Sequence, residues 1–530
     1  MTSVLQYTPT ESIPPLVNNL RDVFLSGKTR SLKYRSNQLK QLAYLVQDNE
    51  ALFVEALQQD LGRAPMETSF GEITTVKNEI IDALRNLHSW AKVRTVNAGS
   101  AFMLHGTQVR HDPKGTVLVL GAWNYPITLL LGPAVYAIAA GNTVMLKPSE
   151  VSEHTAKLIT ELWPKYMDRE TSTVVNGGVD QATALLDERY EHVFYTGNGH
   201  VGSIVASKAA KHLCPVTLEL GGKSPVIIDE TANLSIAAHR IVWAKCFNAG
   251  QTCIAPDYVL VHRSVQDKFV AEVQKVAKKF WTSMNKDMKD FGRIVNTRHW
   301  NRLRGIITAT RGDIVMGGTQ GADEATRFIP FTLIKNVRDG DATLGDELFG
   351  PILPIVPVDS VRSAVEIMNA RDQPLSLYIF TASDAVCEYI LTYTRSGAAI
   401  RGDLLLHFAV DKLPFGGTGP SGYGSYHGKA GFDTFTHERA FIDAPANGIL
   451  GAIVEKLMAS RYPPYSAGKE RLFAMILGKR IFFGRPKNPT ESTTSINNAV
   501  SKSMLYNKGY RTRLLALLVL VLAVTLKYMA

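Results

Sequence analysis

The chain has 530 residues, of which 45% are hydrophobic, so it carries enough apolar material for more than one domain. Its formal net charge is +10, but eleven basic residues against two acidic ones lie between 461 and 513, which leaves residues 1–460 close to neutral. A nucleic-acid partner is therefore not predicted. The four cysteines form no CxxC pair, so neither a zinc site nor a disulfide framework is predicted, and a reducing compartment is favoured.

The first part of the chain is predicted to be helical. Between Glu11 and Trp90, apolar residues recur every three to four positions, as in LKQLAYLVQ and VEALQQDL. From about Gly115 the pattern changes to apolar runs separated by helical stretches, namely GTVLVLGAW, NTVMLKPSE, TSTVVNGG, EHVFYTGN, VTLELGG and SPVIIDE. Strands that alternate with helices predict an α/β fold with a mostly parallel sheet and helices on both of its faces.

Asn124 follows the first of these strands, in GAWNYP, and lies two residues before Pro126. A carboxamide at this position could donate a hydrogen bond to a developing oxyanion, alongside the backbone N–H of Cys253. The alternative is an asparagine that orders its own turn, which the Asn-x-Pro pattern favours.

Two strand ends carry candidate cofactor contacts. Lys147, in VMLKPSE, could hydrogen-bond a ribose hydroxyl, and Glu150 would disfavour an additional 2′-phosphate. In GDELFGPILP, Glu347 could hold a second ribose while the ring of Phe349 packs against a flat base. Lys147 could also be a solvated lysine at the end of a strand.

A glycine-rich turn follows the predicted strand HVFYT. Gly197, Asn198, Gly199 and Gly202 belong to a GxGxxG pattern ahead of the helical VASKAAKH, an arrangement that presents backbone N–H groups to a pyrophosphate. The acidic residue expected about twenty positions later would fall near Glu219. Because Glu219 is a candidate for another role, the dinucleotide-binding pattern is not cleanly met.

A carboxylate and a thiol in the middle of the chain predict covalent catalysis. Glu219 lies near the end of the apolar run in VTLELGG, and Cys253 lies in NAGQTCIAPD, whose Gly and Pro indicate a loop. Ligands of open α/β sheets bind at the C-terminal ends of the strands. The thiol would add to a carbonyl carbon, and the base would activate water to release the acyl group. The alternative is an inert buried cysteine.

The C-terminal segment is predicted to anchor the protein in a membrane. Residues 514–526 read LLALLVLVLAVTL and contain no charge. As a helix they span about 20 Å, less than the ~30 Å hydrocarbon core, so a buried helix is the alternative. Apolar residues on every face, preceded by basic residues, favour an anchor with a body that faces the cytosol. The N-terminal sequence MTSVLQYTPTESIPP lacks the pattern of a secretory signal.

Seven segments occur in a fixed order along the chain: GAWNYP, LKPSE, FYTGN, TLELGGKSP, GQTCIAPDY, ELFGPILP and LPFGGTGPSGYGSYHGKAGFDTFTHER. From about Ala51 to Pro464 the chain resembles the aldehyde dehydrogenase superfamily. It is most similar to the fatty aldehyde dehydrogenase branch, close to the fungal hexadecenal dehydrogenases, which also carry a C-terminal membrane anchor.

The resemblance implies a role for each candidate residue. Cys253 would be the nucleophile, Asn124 the oxyanion donor and Glu219 the base that activates water. The remaining candidates would contact NAD, with NADP less expected: Lys147, Glu150, Gly197, Asn198, Gly199, Gly202, Glu347 and Phe349. No metal site is implied, and the pyrophosphate is held differently in this family than in other dinucleotide-binding folds.

The resemblance also implies an activity, a location and a domain order. Long-chain aldehydes such as hexadecenal would be oxidised to fatty acids, as in sphingolipid degradation. The enzyme would be a homodimer held at the endoplasmic reticulum, a lipid droplet or the mitochondrial outer membrane. The predicted parts are a helical region with a Rossmann-like NAD-binding domain (1–220, with a bridging β segment near 95–112), a second α/β catalytic domain (221–420), a return or bridging segment (421–460), a basic linker with an amphipathic segment (461–513) and the anchor helix (514–529).

One segment departs from the family pattern. Where relatives carry an Asn in a V-x-x-N-D run before a His-Phe pair, this chain reads IRGDLLLHF. The change bears on the floor of the substrate pocket, and His407 is predicted to be structural. Two alternatives remain open: an enzyme for aromatic aldehydes, and a catalytically silent membrane scaffold on the same fold.

Overall fold

The computed structural model describes residues 5–99, 102–479 and 481–482. They form two units, one made of residues 5–383 and 390–445 and the other of residues 384–389 and 446 onward. The predicted anchor, 514–529, and the predicted linker from 483 onward lie outside the described residues. In the part of the chain that is described, no helix has both the length and the hydropathy needed to span a bilayer.

The α-helices are α1 (Ile13–Leu25), α2 (Leu32–Asp48), α3 (Glu50–Leu61), α4 (Pro65–Thr68), α5 (Thr74–Trp90), α6 (Thr128–Ala140), α7 (Glu153–Tyr166), α8 (Val179–Asp187), α9 (Gly199–Ala210), α10 (Leu234–Cys246), α11 (Gln266–Phe280), α12 (Thr297–Ala309), α13 (Val361–Asn369), α14 (Asp384–Tyr393), α15 (Gly428–Thr434), α16 (Gly448–Met458) and α17 (Ala467–Leu477).

The strands are β1 (Arg94–Thr95), β2 (Gly106–Pro113), β3 (Thr116–Leu120), β4 (Thr143–Lys147), β5 (Ser172–Val174), β6 (His192–Gly197), β7 (Val216–Leu220), β8 (Pro225–Ile228), β9 (Tyr258–His262), β10 (Asp313–Met316), β11 (Thr332–Lys335), β12 (Ile352–Val358), β13 (Ser376–Phe380), β14 (Ala398–Arg401), β15 (Gly422–Tyr423) and β16 (Thr436–Asp443).

Two large sheets form the larger unit. The six-stranded sheet has the order β15-β7-β6-β3-β4-β5, and the seven-stranded sheet has the order β10-β11-β12-β9-β8-β13-β14. Every neighbouring pair is parallel except β15 with β7 and β10 with β11. The α/β prediction is therefore confirmed, with the refinement that each sheet is mixed, since each ends in an antiparallel edge strand.

Both faces of the six-stranded sheet are covered. β3 and β4 are buried along their whole length, which fits continuous apolar runs rather than an alternating pattern. On one face, Ile13, Val17 and Leu20 of α1 follow a spacing of four and three residues. They belong to the same hydrophobic core as Leu118 of β3 and Val193 of β6.

The strand order of the six-stranded sheet creates a crevice. From β3 the chain continues outward to β4 and β5, and it then returns to the other side of β3 to form β6 and β7. At such a reversal the connections leave the C-terminal ends of the two central strands in opposite directions, which opens a ligand-binding crevice. Here the crevice lies beyond Leu120 of β3 and Gly197 of β6.

A separate antiparallel sheet joins distant segments. β1, β2 and β16 pair in that order, and β16 matches β2 over eight residues from Thr436 to Asp443. These strands lie in the segments near 95–112 and 421–460 for which the sequence predicts a bridging β element.

The smaller unit contains α16 and α17. The side chain of Ser466 accepts a hydrogen bond from the backbone N–H of Lys469 and so caps the start of α17. α17 falls in the predicted linker and amphipathic segment, and it leaves Leu472, Phe473 and Met475 exposed.

Candidate active site

Cys253 lies where two cavities meet. A groove of about 1680 Å³ and an apolar pocket of about 620 Å³ both include Cys253 in their walls, and Leu129 is the other described residue that lines both. The groove runs along the C-terminal ends of β3, β4, β6 and β7. A thiol in this position can be reached from two sides, by a ligand in the groove and by a different ligand in the pocket.

An unusual turn carries Cys253 to this point. After α10 ends, Asn248 and Ala249 adopt left-handed backbone conformations with φ of 53° and 52°, and Gly250 follows with φ of 74°. A Cβ on Gly250 would come within 2.3 Å of the carbonyl oxygen of Gly350, so only glycine fits there. Consecutive left-handed residues are strained, and such strain is typical of functional sites.

The surroundings of Cys253 disfavour its thiolate. Burial is the main cause that raises the pKa of the Cys253 thiol, and the nearby carboxyl groups of Glu347 and Glu219 raise it further. The Cys253 side chain is therefore held as a neutral thiol, and its sulfur would have to lose its proton before it could act as a nucleophile.

Glu219 lies on β7 beside the same groove. Neither of its carboxylate oxygens has a hydrogen-bond partner among the described residues, although the side chain is buried. Burial raises the pKa of Glu219 well above its usual value. An unpartnered carboxylate with a raised pKa is suited to accept a proton from a water molecule in the groove.

Asn124 lines the groove in the turn between β3 and α6. Its Nδ2 donates a hydrogen bond to the carbonyl oxygen of Gln251, 3.1 Å away, two residues before Cys253. A carboxamide nitrogen carries two hydrogens, so one donor remains for an oxyanion formed at Cys253. The structure thus brings Asn124, Glu219 and Cys253 to one groove.

The apolar pocket is lined by exposed residues at one end and by buried residues near Cys253. At the mouth, Phe70 is 44% exposed and Leu406 is 40% exposed, whereas Tyr125 and Phe247 near Cys253 are buried. Its lining is dominated by aliphatic and aromatic side chains: Phe70, Tyr125, Leu129, Trp243, Phe247, Ile254, Leu405, Leu406, Phe408 and Ala409. Such a surface suits an apolar ligand whose reactive end reaches the thiol.

The glycine-rich turn contributes only in part to the groove. Gly197 and Asn198 line it, and the Asn198 side chain accepts a hydrogen bond of 3.0 Å from the backbone N–H of Val201 at the start of α9. Gly199 and Gly202 do not line it. A Cβ on Gly202 would lie 2.8 Å from Cδ2 of Leu220, so this glycine lets α9 pack closely on β7.

Lys147 and Glu150 line the far side of the groove as an ion pair. The ammonium of Lys147 lies 3.0 Å from the carboxylate of Glu150 and also donates to the carbonyl oxygen of Pro148. A ribose hydroxyl could bind to this pair, whereas a phosphate would meet the negative charge of Glu150.

A network of polar contacts holds the loop that contains Glu347. Arg302 donates to the carbonyl oxygens of Glu347 and Leu348, and Asp257 accepts a hydrogen bond of 2.8 Å from the backbone N–H of Leu348. Asp257 is also ion-paired with Lys223. Burial, followed by the charge of Asp257, raises the pKa of Glu347 to about 8.

Phe349 completes this side of the groove. It adopts a left-handed backbone conformation with φ of 49°, and its ring meets Trp123 edge to face at a centroid distance of 5.3 Å. Both rings line the groove and offer flat surfaces to a base or a nicotinamide.

The groove fits a nicotinamide dinucleotide. Thr196 and Glu219 line it with buried side-chain oxygen atoms that have no partner among the described residues, and Lys147 and Glu347 add an ammonium and a carboxyl group to its lining. Such unsatisfied groups are costly unless a ligand or water pairs with them.

His407 does not line either cavity. Its Nε2 lies 3.2 Å from the hydroxyl of Ser376, its ring stacks on Phe415, and burial lowers the pKa of His407 to about 4. These contacts fit the structural role predicted for it. The neighbouring Leu405 and Phe408 do line the apolar pocket, so the IRGDLLLHF segment shapes the substrate side of the site.

The sequence contains no indication of a buried ion pair that lies next to the site. Arg63 and Glu72 form a fully buried ion pair behind Asn124. Both lie in the helical N-terminal region, where no motif distinguishes them from surface charges, so the sequence alone offers no signal for their position.

Comparison of the chain with known proteins finds similarity to aldehyde dehydrogenases. The aldehyde dehydrogenase family matches residues 7–441, a match that begins well before Ala51 and so includes the first helices. Aldehyde dehydrogenase family 3 member A2 of Rattus norvegicus is 43% identical over 469 residues, 88% of this chain and 95% of the relative. A second protein of Rattus norvegicus, named aldehyde dehydrogenase, dimeric NADP-preferring, is 41% identical over 87% of this chain and 99% of its own.

Among solved structures, a substrate-bound state of Staphylococcus aureus AldH is 37% identical and superposes with a TM-score of 0.83 over 87% of this chain and 99% of its own. The predicted family is thereby confirmed. Because the family match covers most of the sequence and relatives above 40% identity match along nearly their whole length, the chain belongs to the aldehyde dehydrogenase family and is an aldehyde dehydrogenase.

Proposed function

We propose that this enzyme oxidises long-chain aliphatic aldehydes to fatty acids with NAD+ as the preferred coenzyme. The observation that supports the proposal most directly is the apolar pocket, which is lined by exposed residues as well as by Cys253 and is distinct from the groove that also includes Cys253. Each methylene of an alkyl chain buried against such walls contributes about 0.8 kcal/mol to binding.

In the proposed reaction, the Cys253 thiol gives its proton to solvent water in the groove, and its sulfur adds to the aldehyde carbon, so that the electron pair of the C=O bond moves to the oxygen and forms an oxyanion. Asn124 and the backbone N–H of Cys253 donate hydrogen bonds to that oxygen. A nicotinamide coenzyme, which Lys147, Glu347 and Phe349 of the groove would hold, would supply the acceptor for the hydride of that carbon, and Cys253 would then carry the acyl group as a thioester. Glu219 then takes a proton from water, whose oxygen adds to the thioester carbon, and breakage of the C–S bond releases the acid.

The preference for NAD+ is inferred from Lys147 and Glu150. If Lys147 holds the adenosine ribose, the Glu150 carboxylate, 3.0 Å from the Lys147 ammonium, would repel a phosphate on the 2′-oxygen of that ribose. The relative named NADP-preferring makes this preference worth measuring directly. Steady-state kcat/KM with NAD+ and with NADP+ would decide it, and the preference proposed here would be refuted by equal values.

The substrate class is tested with saturated aldehydes of two to sixteen carbons and with benzaldehyde, by following NADH release. We expect kcat/KM to rise with chain length and to exceed the value for benzaldehyde, because only an alkyl chain fills the pocket towards its mouth. The Cys253→Ala variant, which should bind NAD+ but form no NADH, serves as the control.

A flat dependence on chain length with the highest value for benzaldehyde would favour an enzyme for aromatic aldehydes. The aromatic-aldehyde alternative is supported by the rings of Tyr125 and Phe247, which line the same pocket as Cys253.

We further propose a homodimer that is anchored by residues 514–529 with its body facing the cytosol. The name of the dimeric relative supports the first part, and the uncharged apolar run at the end of the sequence supports the second. A long-chain aldehyde partitions into lipid, so an enzyme held at the bilayer would meet its substrate there.

A further inference from the structure

The ion pair of Arg63 and Glu72 lies outside both cavities, yet it contacts the turn that carries Asn124. Both side chains are fully buried, and they meet each other directly. Arg63 follows the end of α3, and Glu72 lies in the π-helical turn Ser69–Ile73, a conformation that is frequent near functional sites.

Arg63 reaches three parts of the active site. Its guanidinium donates to the carbonyl oxygen of Asn124, and its Nε donates to Oδ1 of Asn248 at 3.2 Å. It also lies over the ring of Tyr125, 4.7 Å from the ring centroid. Asn248 in turn donates from Nδ2 to the carbonyl oxygens of Asn124 and Gln251, each at 3.0 Å.

Glu72 holds the other end of the same turn. While one carboxylate oxygen pairs with Arg63, the second accepts hydrogen bonds from the backbone N–H groups of Ile127 and Thr128, at 2.8 and 3.0 Å. These groups lie at the start of α6, where free N–H groups favour a negative charge. The turn from Asn124 to Thr128 is therefore fixed at both ends by a single pair of charges.

A buried ion pair such as that of Arg63 and Glu72 does not by itself show that the pair stabilises the folded state. The desolvation of two charges offsets much of their attraction, and well-packed apolar residues of similar volume are often as stable. Apart from the contact that they make with each other, the side chains of Arg63 and Glu72 form their hydrogen bonds with the turn that carries Asn124 and with the turn that precedes Cys253.

We propose that Arg63 and Glu72 are positioning residues that set the orientation of the Asn124 carboxamide for the oxyanion. This inference rests on the proposed role of Asn124. A displaced donor is lost mainly in the transition state, so we expect kcat to fall while KM for the aldehyde and Kd for NAD+ stay unchanged.

The test is a mutant cycle in the full-length enzyme. Asn124→Ala should lower kcat by about a hundredfold or more, the size of effect seen when an oxyanion donor is removed. Arg63→Met combined with Glu72→Gln removes both buried charges together, so that neither is left unpaired, and should lower kcat by roughly ten- to a hundredfold. Added to Asn124→Ala, the same two substitutions should cause almost no further loss, because all three act through one carboxamide.

Arg35→Lys is the matched control. Arg35 is also buried and holds backbone carbonyl oxygens, those of Thr29, Ala139 and Arg30, but it contacts neither the Asn124 turn nor the Cys253 loop. It should lower the thermal unfolding midpoint without lowering kcat. Arg63→Lys, which keeps the charge, should recover part of the activity lost in the charge-free variant.

The outcomes separate this inference from the proposed function. If the losses multiply in the combined variant, or if the charge-free variant keeps full kcat while Asn124→Ala does not, the positioning role is wrong and the role of Asn124 stands. If Asn124→Ala itself keeps full kcat, the oxyanion role of Asn124 is wrong and the positioning role fails with it.

Discussion

At Cys253, burial and neighbouring negative charge both raise the pKa of the thiol. Burial of Cys253, together with the carboxyl groups of Glu347 and Glu219, favours its neutral thiol over the thiolate. The pKa of the Glu347 carboxyl is itself about 8. Below that pH Glu347 is neutral and has little influence on the sulfur. Above it, the negative charge of Glu347 opposes formation of the thiolate.

The Glu347→Gln variant should therefore differ from the wild type mainly above pH 8. Without the neighbouring charge, the pKa of the Cys253 thiol is lower, and the thiolate forms at a lower pH. The measurement is the rate of alkylation of Cys253 by iodoacetamide against pH, with the modified cysteine identified by mass spectrometry.

Glu150→Gln provides the control for this experiment. Glu150 also lines the groove, but it is not among the groups that raise the pKa of Cys253. Equal alkylation profiles for Glu347→Gln and the wild type would show that Glu347 does not influence the thiol.

The elements that build the pocket come from distant parts of the sequence. Phe70 and Thr75 come from the π-helical turn and the start of α5, and Trp243 and Phe247 come from the end of α10 and the residue after it. The loop after β14 adds Leu405, Leu406, Phe408 and Ala409. The exposed end of the pocket is therefore formed by Phe70 of the π-helical turn and by Leu406 of the loop after β14, and Leu406 belongs to the segment in which the chain departs from the family pattern.

Ala409→Trp should shorten the preferred substrate. Ala409 is exposed and lines the pocket, so a large ring at this position would displace the distal methylenes of a long chain. Each displaced methylene costs about 0.8 kcal/mol, so the loss of two would raise KM for hexadecanal by roughly tenfold. The kcat for a short aldehyde should be unchanged.

Val410→Trp is the matched control, because Val410 is 44% exposed and does not line the pocket. The steady-state KM of each variant should be compared for aldehydes of four and sixteen carbons. A similar rise in KM for both chain lengths, or for both variants, would contradict this view of the pocket.

The sequence predicted the strands and the residues at their ends well, because buried parallel strands are continuous apolar runs with distinctive turns after them. The runs in 115–123 and 191–198 correspond to β3 and β6, whose ends deliver Asn124 and Asn198 to the groove. The mixed character of the sheets was not predicted, since β15 has only two residues and shows no strand pattern.

The charges behind the site were not predicted either. Arg63 and Glu72 are nine positions apart in a helical region, and only the folded chain brings them to Asn124. Periodicity identifies which face of a helix is buried, but it does not show which loop from another element will meet that face.

At the scale of the whole molecule, the catalytic apparatus described here lies within residues 63–409, whereas the basic and apolar segments lie after residue 460. The proposed chemistry and the proposed membrane anchoring therefore fall in different parts of the chain.

A variant that ends before Leu514 should be released from membranes and keep its kcat on short, water-soluble aldehydes. In the proposed anchoring, the uncharged apolar run 514–526 supplies the affinity for the bilayer, whereas the cavities that contain Cys253 are lined by residues between 70 and 409 and between 120 and 349. Cell fractionation of the full-length and shortened proteins, with activity measured in each fraction, tests this. Retention of the shortened protein in the membrane fraction would assign membrane binding to another segment.

The meeting of two separate cavities at one sulfur atom has a consequence for turnover. If the aldehyde binds in the apolar pocket and the coenzyme in the groove, as proposed, each reaches Cys253 by its own route. Spent coenzyme could then depart and a fresh molecule arrive while the acyl chain is still bound. Exchange of one reactant would then not require release of the other.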